Sequence, residues 1–460
     1  MTKSKTSVLA AAILIAVVGT VYLEAVLLFH TKLSDFLRLI RVMLIFASMF
    51  SLSIVVFHKA ESFAAGCFYA IVLAAAAAFV FDLFLSHGTV LYGILFKDRK
   101  DTFMDFFNCI IHVNGGDPYS LGCIYPPLAY IVFGLFYILT PTAMRTESAF
   151  ALRSSQLGMM EFFFFSLIVV LLLATVLYSL RAHSWRGMFF SAFTLFSPIF
   201  VFAFERGNIV TLAFVLTAMF FLFKDSNNVL VRHCAFICLA LAAGIKVYPA
   251  IFGFVLILEK RWKDSAICVL YGLLAFFLPF LFFGGFSQVG VLMENIFNFS
   301  ARSGYHYRVE LSNTFEFFLV RVFGMGDMGE KLSAAAAAVI VLLCGATAFF
   351  QNERWKSVCA FALLTAIAPG TSYIYSLVFM AIPLAMFLSK KDFRRIDIVY
   401  AALFAMLFVP VRFMNDSLYY ENTLVTLTCV LERVGAAAIA LVLTFDATIN
   451  LLIKKVGRTI

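Results

Sequence analysis

Three aspartates, Asp101, Asp105 and Asp117, lie in residues 97–128, which is the only long polar and turn-rich stretch in the N-terminal half of the chain. A carboxylate at the edge of a membrane bundle can remove a proton from an incoming hydroxyl group, which is general base catalysis. Asp117 precedes Pro118 in a Gly-Gly-Asp-Pro turn, where a structural role is the simpler interpretation. Asp101 lies among residues of opposite charge, as on a solvated surface. All three remain candidate bases on these residues alone.

The second long polar stretch, residues 285–333, mixes charges with aromatic side chains. Within it the segment FNFSARSGYHYRVELSNTFEFF spans residues 297–318, and its polar residues of interest are Arg302, His306, Arg308, Glu310 and Asn313. Cationic groups at a membrane surface suit a phosphate, and aromatic faces suit a sugar ring or a polyprenyl chain. The alternative for each residue is an ordinary solvated loop position.

Two charged groups interrupt apolar runs. Lys246, in GIKVYPAIF, lies beside Pro249, which breaks the helical hydrogen-bond pattern. A charge at the centre of a membrane span costs about 2.5–3.5 kcal/mol on insertion scales, so a lysine at a helix break indicates a phosphate pocket. A lysine that extends to the interface or pairs with a buried acid is the alternative. Glu205 and Arg206, in FERGNIV, form a charged turn that is either an ordinary loop ion pair or, with Asn208 following it, part of a functional site.

Composition places these residues in a membrane protein. The 460-residue chain is 63% hydrophobic and 13% charged, whereas soluble domains have about 25% charged residues. Its net charge of +9 does not indicate nucleic acid as a partner, because the basic residues cluster in short loops such as 259–264, 390–395 and 454–458. Such clusters are typical of cytoplasmic anchoring beside a lipid bilayer.

Apolar windows long enough to cross a hydrocarbon core of roughly 30 Å predict an all-α polytopic protein with about 12–14 transmembrane helices. The predicted spans are 7–29, 38–57, 64–85, 126–141, 158–180, 187–204, 208–223, 233–258, 265–284, 334–350, 356–369, 372–388, 396–412 and 423–447. We expect one integral membrane domain over 1–460, with both termini in the cytoplasm. The loops 86–125 and 285–333 are then extracytoplasmic, and 1–62 holds extra N-terminal helices.

The N-terminal apolar run is longer than a cleaved signal and no cleavage site follows it, so we interpret it as a retained first span. Cys109 and Cys123 lie in the first predicted outer loop, where a disulfide between them is one alternative. Their spacing is not that of zinc ligands.

Four segments are similar to those of a known family. DFFNCIIHVNGGDPY followed by YPPL resembles the first outer loop of bacterial polyprenyl-phosphate-mannose-dependent mannosyltransferases, which belong to the GT-C superfamily and to glycosyltransferase family 87. RGNIVTLAFVLTAMFFL, GIKVYPAIFGFVLILEKRW and LSNTFEFFLVRVFG resemble three further family segments in the expected order. The chain departs from the pattern at Gly207, where the family has Gln, and at Thr314-Phe315, where it has Gln-Ser. It also lacks a histidine near 369–376.

The resemblance implies a GT-C bundle that transfers a sugar, with mannose favoured, from a polyprenyl-phosphate donor to a lipid-linked or cell-envelope glycan at the outer face of the cell membrane. It makes Asp105 the catalytic base and requires no metal or other cofactor. The substrate-binding residues that it implies, together with the loop chemistry, are Lys246, Arg302, Tyr119, Tyr125, Asn208, Arg206, Asn313, His306 and Tyr373.

Two other classes of protein remain open. A transporter or lipid flippase often shows inverted repeats and matching broken helices in its two halves, and the sequence shows no such repeat. A polymerase or ligase of lipid-linked oligosaccharides would also present arginines on outer loops, where the sequence has Arg302 and Arg308. It would not need the acidic first loop with its Gly-Asp-Pro-Tyr turn.

Overall fold

The structure is a computed structural model. It describes residues 5–28, 34–85, 87–88, 101–114, 116–145, 148–181, 184–302, 308–370, 372–392, 394–409, 419–420, 423–424 and 427–456. Across these ranges the protein is helical, which confirms the predicted all-α polytopic class. The exception is one antiparallel pair, β1 (Tyr419–Tyr420) and β2 (Thr423–Leu424), in which Tyr419 faces Leu424 and Tyr420 faces Thr423.

The α-helices of the described ranges are numbered in chain order. They are α1 Lys5–Leu28, α2 Asp35–Lys59, α3 Phe63–Leu85, α4 Met104–His112, α5 Pro127–Leu139, α6 Ala149–Ser154, α7 Gln156–Leu180, α8 Trp185–Leu195, α9 Pro198–Arg206, α10 Val210–Phe223, α11 Val229–Ile245, α12 Phe254–Leu258, α13 Trp262–Phe277, α14 Gln288–Arg302, α15 Leu311–Glu316, α16 Gly326–Ala348, α17 Arg354–Ile367, α18 Ala381–Leu388, α19 Ile396–Phe408 and α20 Leu427–Val456. Short 3₁₀ segments cover Tyr119–Leu121, Thr142–Met144, Tyr248–Gly253, Leu278–Phe282 and Ile374–Met380, and a π-helix covers Phe317–Val322.

The chain divides into two compact units. One comprises Met1–Phe96 with Leu384–Ile439, and the other comprises Lys97–Pro383 with Ala440–Ile460. In the first unit, Ala16 of α1, Met49 of α2 and Ala74 of α3 form a small buried core. The second unit carries the predicted loop 285–333, residues 97–125 of the predicted loop 86–125, and every candidate site residue. That the whole chain forms one membrane domain stays a prediction.

Five helices of the described residues are long and apolar enough to cross a membrane, or six if the bent pair α8 and α9 forms one span. The pair bends by 55° at Ser197 and Pro198, where proline cannot continue the hydrogen-bond ladder of the preceding helix. Within the described ranges, each of the fourteen predicted spans overlaps a helix or a broken helix. The chain is therefore a multi-pass membrane protein, as predicted.

The predicted span 126–141 does not cross the bundle. Its helix, α5, has 13 residues, and it begins beside α4, because Asn208 Nδ2 donates both to Asp105 of α4 and to the hydroxyl of Tyr125, two residues before α5. Phe106 of α4 packs against Phe136 of α5 and against Phe165 near the start of α7. The chain therefore leaves α5 at the same end of the unit at which α7 begins. Hydropathy predicts a span here because the face of this short loop helix that packs against α4 and α7 is as apolar as a membrane-spanning segment.

The predicted span 233–258 is instead a helical hairpin. It breaks at Lys246, whose backbone is extended at the end of α11, and Tyr248–Gly253 and α12 then return. The residues that flank the hairpin meet, since Nζ of Lys224, before α11, lies 2.7 Å from Oε1 of Glu259, after α12. Lys246 is therefore at the tip, at the far end from this ion pair. The helix α5 removes one predicted crossing of the membrane, and the hairpin adds one. The predicted orientation of all later spans is therefore unchanged.

The base of the hairpin is held by a network of ion pairs that we call the basic end. Arg261 contacts Asp225 at 2.8 Å and Asp264 at 2.7 Å, and Arg354 at the start of α17 pairs with Glu259. Burial lowers the pKa of Lys224 to about 8, while its contacts with Asp225 oppose that shift. The other end of α10, α11 and α17 faces the residues described next.

Candidate active site

Asp105 is positioned by α4, a nine-residue helix that buries one face completely. Phe106 and Phe107 are both fully buried, and the Phe106 ring lies 5.5 Å from Phe162 of α7. These large apolar contacts fix the rotation of the helix about its axis. As a result Asp105, on the opposite face of the first turn, is directed towards the end of α9.

The carboxylate of Asp105 is held by two side chains. Arg206 donates from Nη2 to Oδ1 at 2.7 Å and from Nε to Oδ2 at 3.4 Å, and Asn208 donates from Nδ2 to Oδ2 at 2.6 Å. An ionised carboxylate has about four acceptor positions. The three contacts therefore leave room for one more donor, such as the hydroxyl group of a substrate.

Gly207 allows Arg206 and Asn208 to converge on one carboxylate. Its φ of +66° is in the left-handed region that glycine adopts without strain, and it ends α9. The backbone N–H of Phe103 donates to the carbonyl of Glu205 at 2.7 Å, which ties the α9 turn to the start of α4. The glycine that replaces the Gln of the family pattern is thus a requirement of this turn.

Replacing Gly207 by alanine is expected to destabilise the fold and to reduce activity. An added Cβ would lie 3.0 Å from Phe106 Cβ and 3.2 Å from the Phe103 carbonyl oxygen, in a backbone conformation that alanine disfavours. We expect a loss of about 1–3 kcal/mol in stability. Thermal unfolding of Gly207→Ala in detergent measures this change, and Gly290→Ala, where an added Cβ has open space, is the control. Equal unfolding temperatures in the two variants would contradict the prediction.

Asp101 shares the guanidinium of Arg206 with Asp105. Arg206 Nη1 lies 2.6 Å from Asp101 Oδ2, and the Asp101 side chain is half exposed. The arginine thus bridges two carboxylates through different nitrogens, which fixes its orientation on Asp105. Asp101 therefore belongs to the site as a partner of Arg206, and not to a separate solvated surface.

Lys246 lies beside this cluster in a pocket of tyrosines. Its Nζ is 3.9 Å from the ring centre of Tyr125, 5.5 Å from that of Tyr375 and 6.0 Å from that of Tyr248. Lys246 is buried, and its charge interacts with that of Asp105. Aromatic faces stabilise an ammonium group without neutralising it. The hairpin tip thus presents a buried positive charge next to the acidic residue.

Tyr125 contacts both Asn208, which holds the Asp105 carboxylate, and Lys246. Its hydroxyl accepts a hydrogen bond from Asn208 Nδ2 at 2.9 Å while its ring faces Lys246. Burial holds the pKa of Tyr125 well above its ordinary value, so the phenol stays neutral. Tyr119 supports this residue from outside the site, since its hydroxyl donates to the Tyr125 carbonyl at 3.3 Å. The Tyr119 ring stacks on Phe280.

Of the remaining predicted site residues, the structure describes the side chains of Tyr373 and Asn313. Tyr373 stacks on Tyr375 at 5.6 Å, and its backbone bridges to Arg308. Asn313 is buried on α15. Arg302 is the last residue of α14, and its side chain lies outside the described part of the structure, as does the whole of His306. Their roles in substrate binding stay predictions.

Sequence reasoning missed Tyr375 and Tyr248. Tyr375 stacks on Phe202 of α9, which places its ring against Lys246. Both tyrosines lie within two residues of positions that the sequence analysis singled out, Tyr373 and Lys246. Aromatic residues flanking a lysine in an apolar run are the signal that could have identified them.

Asp117 has a structural role, as expected. Its Oδ1 accepts from the backbone N–H groups of Tyr119 at 3.1 Å and Ser120 at 3.3 Å, which is the Asx-turn pattern. Cys109 and Cys123 are free thiols in the structure. Burial raises the pKa of Cys123 to about 11, and its Sγ lies 2.9 Å from His112 Nδ1.

The arrangement can deprotonate a hydroxyl and stabilise a nearby anion. Asp105 supplies an oriented carboxylate, and Lys246 supplies a positive charge in a buried pocket. In the described residues, no group of three or more His, Cys, Asp or Glu side chains could hold a metal ion.

Comparison with known proteins agrees with this chemistry. The model of glycosyltransferase family 87 matches residues 124–370, which is more than half of the chain. The match contains Tyr125, Arg206, Asn208 and Lys246, and it begins after Asp105. Neither the curated proteins nor the solved structures include a match.

Proposed function

The chain belongs to glycosyltransferase family 87, and we propose that it transfers a sugar from a polyprenyl-phosphate donor to a glycan acceptor at the outer face of the cell membrane. Mannose is the proposed sugar, and the proposed acceptor is a lipid-linked or cell-envelope glycan. That the protein is a glycosyltransferase follows from the family. The donor, the sugar and the side of the membrane are the subject of the proposal.

Asp105 acts as the general base. The acceptor hydroxyl donates to the free acceptor position of the carboxylate, and its proton passes to Asp105 as the oxygen attacks the anomeric carbon. Arg206 and Asn208 hold the carboxylate in one orientation during this step. Attack opposite the phosphate forms one carbon–oxygen bond and breaks another, so the configuration at the anomeric carbon is inverted.

Lys246 stabilises the leaving group. The electron pair of the broken bond stays on the phosphate, which leaves as a polyprenyl phosphate monoester with more negative charge than in the donor. A fixed cation in a low-dielectric pocket lowers the energy of such a transition state. The tyrosines around Lys246 keep it in place. Because a side chain supplies this charge, the proposed reaction includes no metal cofactor.

Charge distribution supports an outer-face site. The basic end carries Lys224, Arg232, Arg261 and Arg354, and the site lies at the other end of the same helices. Lys and Arg are enriched in cytoplasmic loops. The site then opens to the outer leaflet, where a donor with its lipid tail in the bilayer would present its head group.

One observation carries the proposal most strongly: Asp105 and Lys246 converge at the end of the unit that lies away from its basic loops. The test is transfer in vitro from a panel of radiolabelled polyprenyl-phosphate sugars by the purified native protein. We expect transfer from one donor, with inverted configuration in the product. Transfer only from a nucleotide sugar, or with retained configuration, would refute the proposal.

Cysteine labelling in intact cells tests the orientation. A cysteine at Ser120, which is exposed in the first loop, is expected to react with a membrane-impermeant maleimide added outside. A cysteine at Asn227, which is between α10 and α11 at the basic end, is expected to react only after permeabilisation. The parent chain gives the background labelling of its own cysteines. The reverse pattern would place the site on the cytoplasmic side.

A further inference from the structure

An apolar groove runs along the hairpin that carries Lys246. It has a volume of about 240 Å³ and lies between α11, the 3₁₀ segment Tyr248–Gly253 and α13. Its floor is buried at Ala240, Ala243 and Cys268, while its rims are exposed at Val247 and Leu273. The groove is therefore a channel that is open on the side away from the helices that form it.

Small residues make the groove. A Cβ added to Gly253 or to Gly272, which both line it, would meet no atom within 4 Å. Gly244, which follows Ala243 on α11, differs from these two glycines. A Cβ added to Gly244 would lie 2.7 Å from the carbonyl oxygen of Ala275. The two helices are thus tightly packed at Gly244, and the empty space at the other two glycines is a local feature of the groove.

The groove runs from the hairpin tip, which carries Lys246, towards the basic end. Val247, on its rim, directly follows Lys246, and Ser265, at its other end, directly follows Asp264 of the ion-pair network. The rise from Ser265 to Phe276 along α13 is about 16 Å at about 1.5 Å per residue. This is the direction along the membrane normal that a hydrocarbon chain must follow from a phosphate held at Lys246.

We infer that this groove binds the part of the donor's polyprenyl chain next to the phosphate. The inference rests on the proposed function. Because lipid tails are as apolar as leucine, moving the chain from the bilayer into the groove gains little hydrophobic free energy. The gain comes from dispersion contacts with a wall of fixed shape, and it orients the phosphate towards Lys246. The groove would therefore select the donor by its chain as well as by its head group.

Filling the groove away from Lys246 tests this inference. Gly272→Leu and Gly253→Leu each place a side chain in the empty space, and leucine at a helical position is favoured over glycine by roughly 0.5–1 kcal/mol, so folding is preserved. Each variant is assayed with the same sugar on undecaprenyl phosphate and on a five-carbon prenyl phosphate, whose chain is too short to extend along the groove. The control is Ala266→Leu, an exposed position of α13 that is not part of the groove.

We expect the KM for the undecaprenyl donor to rise about fivefold or more in the groove variants, as overpacking of 1–3 kcal/mol implies. The KM for the five-carbon donor, and both values in Ala266→Leu, should stay within about twofold. Equal effects on both donors, or an effect confined to the KM for the acceptor, would overturn the inference and leave the proposed function standing. No transfer from either donor by the native protein would instead refute the proposed function.

Discussion

Replacing Asp105 by asparagine is expected to reduce sugar transfer by about a hundredfold to ten-thousandfold, which is the usual contribution of a positioned general base. Asparagine preserves the size of the side chain but cannot take the proton of the acceptor hydroxyl. The acceptor still binds, so kcat should fall far more than KM rises. Steady-state transfer from the polyprenyl-phosphate donor, with product separated from donor, measures the loss.

The matched control is Asp117→Asn in the same loop. Asp117 accepts only backbone hydrogen bonds among the described contacts, and asparagine can form the same Asx turn. The Asp117→Asn variant should therefore retain nearly native transfer activity. Both variants must show the unfolding temperature of the native protein for the comparison to count. Full activity in Asp105→Asn would remove the proposed base.

Replacing Lys246 by methionine is expected to lower kcat by about a hundredfold to a thousandfold, because an electrostatic stabiliser of the leaving phosphate is lost. Methionine fills the tyrosine pocket with a chain of similar length and no charge. The fold should tolerate the change, since removal of a buried charge also removes its desolvation cost. Single-turnover transfer measures the chemical step apart from release of the lipid product.

Lys224→Met provides the control for loss of a buried lysine. Lys224 is as enclosed as Lys246, but its contacts are Asp225 and Glu259 at the basic end. This variant should unfold at a lower temperature, because two carboxylates each lose one of their ion-pair partners, while the folded protein keeps its kcat. Equal losses of kcat in the two lysine variants would show that Lys246 acts through the fold and not through the phosphate.

The sequence allowed the helices to be predicted well and their ends less well. Apolar length located a helix at every predicted span, because lipid exposure imposes a similar apolar composition on each crossing. It could not show that α5 stops short or that the chain turns at Lys246. Both features depend on packing: Phe106 holds α5 beside α7, and Lys224 meets Glu259 after the chain has turned back. Windows of hydropathy contain no information about such contacts.

The sequence indicated which residues could form the site, but it did not indicate how they are arranged in space. Asp105, Arg206, Asn208, Tyr125 and Lys246 were each chosen separately, and the structure brings them together. The bridging of two carboxylates by Arg206 was not foreseen, because Asp101 and Arg206 are more than a hundred residues apart. Charge patterns along a chain show local neighbours only. The convergence depends on the left-handed turn at Gly207.

The length of the hairpin sets the depth at which Lys246 meets the bilayer. With 17 residues, α11 is about 25 Å long, and the returning segment is about 20 Å long. Both are shorter than a hydrocarbon core of roughly 30 Å. Because of this hydrophobic mismatch, we expect the leaflet to be thinner beside the tip. A lipid head group can then reach the lysine by sinking a few ångströms, without leaving the membrane in which its tail is anchored.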